Sequence, residues 1–185
     1  MIDYLEVFAV ICGIMYLILL SKVIRWGWIF GIVSAALYAY ICFNVSLYFQ
    51  SILQCIYVFA GIWGFWSWSE LKEPSETGTY HLPIKENIFV FFGALVCAIL
   101  AYYLLSYTDQ QSALIDSFVS VFSLLATFLT IFRLIENWYY WWIINVLAIV
   151  LFYQQNLMAT VFLYAVYLAL SIYGYLEWRK KLVRS

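Results

Sequence analysis

Histidine occurs once in this chain, at position 81, and proline only twice, at 74 and 83. A single histidine leaves no histidine cluster for a metal and no Ser-His-Asp arrangement within the apolar segments. No pair of aspartates lies at mid-segment depth, which argues against an intramembrane aspartyl protease. The expectation is therefore no enzyme, no metal and no cofactor, and no nucleic-acid partner. The four cysteines, Cys12, Cys42, Cys55 and Cys97, fall inside apolar runs without paired spacing, so they read as small buried hydrophobes rather than disulfides or ligands. Charge is equally scarce. Asp, Glu, Lys and Arg make up 10% of residues against 67% hydrophobic, with mean hydropathy +0.94, which excludes a water-soluble domain.

What is present is apolar length. A membrane-spanning helix needs about 20 mostly apolar residues, and seven segments qualify, near 5–21, 28–44, 47–69, 87–107, 113–132, 138–154 and 157–178. With the amino terminus outside, the cytoplasmic stretches hold Lys22, Arg25, Lys72, Lys85, Arg133, Arg179, Lys180, Lys181 and Arg184, which are all 9 basic residues of the chain. The opposite stretches, around Asp3, Asn44, Asp109 and Gln155, contain none. That partition follows the positive-inside rule and supports seven helices with the carboxyl terminus inside. The first segment begins with Asp3 and Glu6 and lacks a small-residue cleavage site, so it is expected to be a helix and not a cleaved signal peptide. Asn44-Val45-Ser46 matches a glycosylation sequon, but so short a turn favours coincidence.

The chain also repeats itself. Residues 28–68 and 138–178 align without a gap at an offset of 110, with Trp28/Trp138, Leu37/Leu147, Leu47/Leu157, Leu53/Leu163, Tyr57/Tyr167, Ile62/Ile172, Gly64/Gly174 and Trp68/Trp178 identical. Similar apolar composition alone would not bring two tryptophan pairs and a glycine into register. Duplicated membrane halves point to a transporter, because pseudo-symmetric halves enclose a central site that can open to either side in turn. The expected architecture is one all-α membrane domain over residues 1–185. A first three-helix repeat (1–69) leads through a solvated cytoplasmic linker (70–86) to a linker helix (87–107). A second repeat (113–178) and a basic tail (179–185) follow. Three helices, one helix and three helices make a parallel repeat.

Polar residues recur at helical spacing. Asp116, Ser120, Ser123, Thr127 and Thr130 share one face of the fifth segment, opposite Phe118, Phe122, Leu125 and Leu129. Such a stripe is either packing between helices or a wetted wall, and its length favours the wall. The third segment carries Gln50, Gln54, Tyr57, Gly61 and Gly64, the sixth Trp138, Trp141 and Asn145, and the seventh Thr160, Tyr164, Tyr167, Ser171 and Gly174. Amides are costly in hydrocarbon without partners, so Gln54 and Asn145 should face the interior. Trp26, Trp28, Trp66, Trp68, Tyr139, Tyr140 and Trp178 lie at segment ends and are expected in interfacial belts. Deeper aromatics, Tyr57, Trp141, Tyr164 and Tyr167, suit a flat ring or a cation. Gly27, Gly31 and Ser34, followed by Tyr38, read as close packing.

These stretches resemble the Pnu family of bacterial vitamin transporters. The resemblance is carried by Trp28-Ile-Phe-Gly31, Leu-Tyr48 through Gln54, Ile62-Trp-Gly64, Asp116 with its Ser/Thr face, Glu136-Asn-Trp138-Tyr-Tyr-Trp141-Trp-Ile-Ile-Asn145, and Ile172-Tyr-Gly174-Tyr-Leu-Glu-Trp178. It implies a SWEET-like arrangement of seven helices and a homotrimer in the bacterial inner membrane. It also implies facilitated diffusion, with a cytosolic kinase trapping the vitamin. Gln54, Trp138, Trp141 and Asn145 carry over as substrate contacts, with Tyr164 and Tyr167 beside them; Tyr57, Asp116 and Thr127 complete the candidate set. The family's branches carry nicotinamide riboside or thiamine, both flat aromatic cations. Gly61 and Thr127 stand where the nicotinamide riboside branch tends to have amides, a departure that points to thiamine. Nicotinamide riboside is the alternative, and a non-transport membrane scaffold the remaining one.

Overall fold

A computed structural model describes residues 2–44, 48–70, 78–107, 113–154 and 158–183. Lys72, Asp109, Gln155, Arg184, the Leu47/Leu157 pair and the sequon's Val45 and Ser46 lie outside the described residues. Among those described there are seven α-helices: α1 (Ile2–Ser21), α2 (Gly27–Asn44), α3 (Tyr48–Ser67), α4 (Ile84–Leu105), α5 (Ala113–Ile131), α6 (Asn137–Gln154) and α7 (Met158–Lys180). One 3₁₀ turn, Trp68–Glu70, extends α3. Helices are the economical answer for such a sequence, since hydrocarbon offers backbone groups no partner but each other. Five helices are long and apolar enough to cross a membrane, and α3 adds a shorter apolar stretch, Ser51–Ser67.

The fourth helix starts three residues before the sequence expectation of 87. Pro83 holds a non-helical ψ of 140° at its N-cap, and Lys85 and Glu86 form the first turn. Charged residues lower hydropathy without preventing helix formation, and Glu86 at a positive helix start is favourable.

Packing follows the repeat. α2 lies against α1 and α3, α6 against α5 and α7, and the two groups meet through α1 with α7 and α3 with α5. α4 packs on α5. The turns after α1 and α5 are copies. Val23 and Arg133, at φ 59° and 58°, take the left-handed conformation at the helix ends. The N–H of Ile24 reaches Leu19 O and that of Val23 reaches Leu20 O, while Leu134 reaches Leu129 O and Arg133 reaches Thr130 O, all at 2.9–3.0 Å. This six-to-one and five-to-two pattern is a Schellman motif, made here without glycine. All four donors and all four acceptors are related by the same offset of 110.

Trp28, Trp68 and Trp178, expected in interfacial belts, are instead buried with Trp138 in a core cluster at one end of the bundle. Trp28, Trp68, Trp138 and Trp178 are each at most 1% exposed and form one cluster with Leu20, Val23, Ala60, Ile131 and Ile135. Trp68 meets Trp28 and Trp178 at ring distances of 5.5 and 6.2 Å, and Trp138 meets Trp178 at 5.3 Å. The indole N–H of Trp68 donates to Ile131 O and that of Trp178 to Leu20 O, each at 2.9 Å. Last-turn carbonyls of one group are thereby capped from the other. A segment-end position fits a belt or a buried cap equally well by sequence, and here the last-turn carbonyls of Ile131 and Leu20 supply the partners for a buried indole. Tyr140 is buried too, whereas Trp26, Trp66 and Tyr139 do lie exposed.

The described part of the 70–86 connection is not a free linker. Thr79 is fully buried, donates to Trp178 O, and pairs through its backbone with Lys181 and Val183. Tyr80 exchanges backbone bonds with Arg133 and Ile135. His81 Nδ1 sits 2.9 Å from Glu136 Oε1, and Leu82 N donates to Glu136 Oε2 at 3.0 Å. Glu136 is only 5% exposed because this strap covers it. Lys181, half-buried under the same strap, is held below its ordinary pKa by desolvation. Of the cysteines only Cys12 is buried; Cys55 and Cys97 lie exposed on outward faces, where a thiol is apolar enough for lipid.

Candidate binding cavity

Between the two helix groups lies a cavity of about 680 Å³, within the range of about 300–1,000 Å³ typical of small-molecule sites. Its walls come from α1 (Glu6, Gly13, Tyr16), α2 (Trp28, Gly31, Ser34, Ala35, Tyr38) and α3 (Gln54, Tyr57, Gly61) on one side. The other side is α5 (Ser123, Thr127), α6 (Trp141, Ile144, Asn145) and α7 (Phe162, Tyr164, Tyr167, Ser171). Among the described residues α4 contributes nothing to it.

The polar groups on this wall fall into two kinds. Ser34 donates its hydroxyl proton to Ala9 O, Thr127 to Ser123 O and Ser171 to Leu168 O, at 2.7–2.8 Å. Their protons are committed to backbone, so toward the cavity they offer acceptor lone pairs only. The amides differ. Gln54 and Asn145 have no hydrogen-bond partner among the described residues. Asn145 is 3% exposed as a residue, and its side chain lines the cavity. An unpaired buried amide costs about 1–3 kcal/mol, a cost that a ligand's own polar groups offset when bound.

Aromatic rings complete the wall. Tyr164 and Tyr167 meet edge to face at 5.8 Å, and Tyr57 shares a side-chain hydrogen bond with Ser123. Small residues set the shape. A Cβ at Gly31 would run into the Tyr16 ring at 2.7 Å, and one at Gly61 into Ile32 at 2.7 Å.

Seven of the nine candidate residues from the sequence therefore meet at one place: Gln54, Tyr57, Thr127, Trp141, Asn145, Tyr164 and Tyr167. Two do not line it. Trp138 is packed into the tryptophan cluster, its ring over Gly174. Asp116, one helical turn before Ser120 on the α5 face, is not among the residues that line the cavity. Of the Ser/Thr stripe, Ser123 and Thr127 reach the cavity, while Ser120 and Thr130 are buried in packing. Gly31 and Ser34, read as close packing, line the cavity as well.

The α1 wall escaped the sequence reading. Glu6, Val10, Gly13 and Leu17 share one helical face, and shifting each by 110 gives Asp116, Ser120, Ser123 and Thr127. Extending the repeat backwards from position 28 would have revealed them. Apolar residues at two of the four positions hid the signal.

The nicotinamide mononucleotide transporter pattern matches residues 3–180. The chain belongs to that family. Among curated relatives, the protein named nicotinamide riboside transporter PnuC of Neisseria mucosa is 26% identical over 98% of this chain and 74% of its own length. Its namesake in Haemophilus influenzae is 26% identical over 99% of this chain and 82% of its own. A crystal structure of the vitamin B3 transporter PnuC superposes with a TM-score of 0.80 at 27% identity, covering 97% of this chain and 82% of that one. The chain is thus a vitamin transporter and not an enzyme, and it spans the bacterial inner membrane several times.

Proposed function

We propose that this protein carries nicotinamide riboside across the inner membrane by uncoupled facilitated diffusion, with phosphorylation in the cytosol trapping the product. The observation that carries the reading is the pair of unpartnered amides, Gln54 and Asn145, facing each other's helix groups across a cavity walled by Trp141 and tyrosines. A carboxamide on a flat cationic ring suits an amide partner and an aromatic wall. The names of the relatives described above support the same vitamin. The sequence lean to thiamine finds no support there. It rested on missing amides at Gly61 and Thr127, yet Ser34, Thr127 and Ser171 supply acceptor oxygens that ribose hydroxyls can use.

The transport reading includes a parallel arrangement of α1–α3 and α5–α7 joined by α4, with the amino terminus outside. The copied turns and the basic residues gathered at the tryptophan end favour it. A homotrimer remains part of the proposal from family resemblance. An uncoupled carrier needs no dedicated cation site, and among the described residues no acidic or basic side chain stands at mid-helix depth on the wall.

Equilibrium binding of radiolabelled nicotinamide riboside and thiamine to the purified protein tests the reading. Nicotinamide riboside should bind, and excess thiamine should compete poorly. Tighter thiamine binding would restore the other branch, and binding of neither would favour a scaffold. In proteoliposomes, flux should stop at equal concentrations; accumulation driven by an imposed pH or sodium gradient would overturn the uncoupled mechanism.

A further inference from the structure

We propose that Tyr16 is a specificity residue of the site, an aromatic face on α1 that meets the substrate's flat cationic ring together with Trp141 of α6. The inference deepens the reading of the substrate as a ring-bearing cation and rests on it. Two positions of the repeat have exchanged their sizes. The first group carries Tyr16 on α1 and Gly31 on α2, whereas at the offset of 110 the second carries Ala126 on α5 and Trp141 on α6. The ring thus comes from the first helix of one group and the second helix of the other.

The contacts bear the exchange out. In the first group the room left at Gly31 is taken by Tyr16, whose Cδ2 and Cε2 would stand 2.7 and 2.9 Å from a Cβ added there. In the second, Ala126 is fully buried, and Trp141 packs against the apolar cluster to which this alanine belongs. Both rings rest on the tryptophan cluster, Tyr16 edge to face with Trp28 at 5.7 Å. Both are half-buried, and both line the cavity. Among the described residues they make no ring contact with each other, so neither is spent on its counterpart. Filling the room at Gly31 asks only for apolar bulk, which a Leu on α1 would supply. A half-buried ring on the wall, resting on the same cluster as the other group's indole, adds a negative π face to that bulk. A desolvated cation gains more from such a face than a neutral ring does. The ring end of the substrate then lies toward the tryptophan cluster.

Equilibrium binding to the full protein in detergent tests this with two probes, nicotinamide riboside and its neutral isostere benzamide riboside. Tyr16→Phe should bind nicotinamide riboside nearly as wild type does. Tyr16→Leu should weaken it roughly 5- to 30-fold, the range expected for a cation over a desolvated ring, and should weaken the isostere clearly less. Leu also disturbs the packing on Gly31 and Trp28, so a second series keeps the shape constant. Phenylalanines of increasing ring fluorination at position 16 weaken the π face step by step. Affinity for the cation should fall along that series while affinity for the isostere stays level. A flat series, a series that falls alike for both probes, or full affinity in Tyr16→Leu would overturn the contact and leave the transport reading intact. Wild-type protein that binds no nicotinamide riboside would overturn both.

Discussion

At the end bearing the basic residues, the α1–α3 group and the α5–α7 group are near copies. Both have a non-glycine Schellman turn, a tryptophan seated on a glycine (Trp28 on Gly64, Trp138 on Gly174), and a second tryptophan that caps the opposite group. Even the shortfalls match, since Trp28 and Trp138 both have a buried indole N–H without a partner. Along the cavity the copies part company. Gly31 answers Trp141, Ala35 answers Asn145, Leu17 answers Thr127, and Gln54 answers Tyr164. At Gly31 and Ala35 the first group leaves room where the second places an indole and an amide. A ligand with a ring at one end and a sugar at the other has no two-fold symmetry, so a wall that grips it cannot be symmetric. Closing first on one side and then on the other asks for the same joint in each half. On the transport reading, the joint is the duplicated part of the molecule and the wall the divergent one.

The joint can be broken from either half, and this should be the largest effect. Trp68→Ala and Trp178→Ala each remove a fully buried ring and its indole hydrogen bond, although Leu20 O keeps the Val23 N–H. Truncating a buried Trp costs about 3–5 kcal/mol, and here the two losses should be similar. Phe at either position keeps most of the ring and forfeits the hydrogen bond, for about 1–3 kcal/mol. Unfolding in detergent micelles reads both. A severe loss at one position beside a neutral change at the other would mean that the joint is not duplicated in energy, whatever its geometry.

The wall should be lopsided. Asn145→Leu removes a sealed polar contact, a loss of about 1–3 kcal/mol, or roughly 5- to 150-fold in affinity for nicotinamide riboside. Ala35→Ser, at the mate position, should leave binding almost unchanged, because its partner surface is already supplied by Ser34. Gln54→Leu should fall between them, since this amide is only half-buried. Titration calorimetry compares the three. If Ala35 and Asn145 prove equally sensitive, the ligand is bound symmetrically and the contrast between the halves collapses.

How much of this was readable beforehand depends on the range of the interaction. The helices, the repeat and the facing amides follow from local periodicity, so Gln54, Tyr57, Trp141, Asn145, Tyr164 and Tyr167 were placed correctly as interior groups. The tryptophan caps were not, because Trp178 reaches Leu20 across 158 positions and nothing near either residue announces it. Thr79 and Glu136 are likewise buried by distant partners, Trp178 and His81, although their neighbourhoods are polar. Composition identifies a solvent. It does not show which polar stretch will be pinned under the bundle. The lean to thiamine, which finds no support among the relatives, has a related origin: absent amides are visible in the sequence, but acceptor oxygens left by back-bonding to the helix are not.

Position 127 offers the smallest and most discriminating change. In the first half the same place is Leu17, which lines the cavity with no polar atom. Thr127 differs only by a hydroxyl whose proton is already donated to Ser123 O at 2.8 Å. What remains toward the ligand is an acceptor, and a single neutral hydrogen bond contributes about 0.5–1.5 kcal/mol net. Thr127→Val keeps the shape and releases the helix carbonyl to its ordinary backbone bond. It should therefore weaken nicotinamide riboside by roughly 2- to 12-fold on the scale of tenfold per 1.4 kcal/mol. The deoxy analogue lacking the ribose hydroxyl it receives should bind wild type and variant alike. A much larger loss in the variant, felt equally by every deoxy analogue, would show that Thr127 acts by holding α5 in place, and the wall would then be less asymmetric than its side chains suggest.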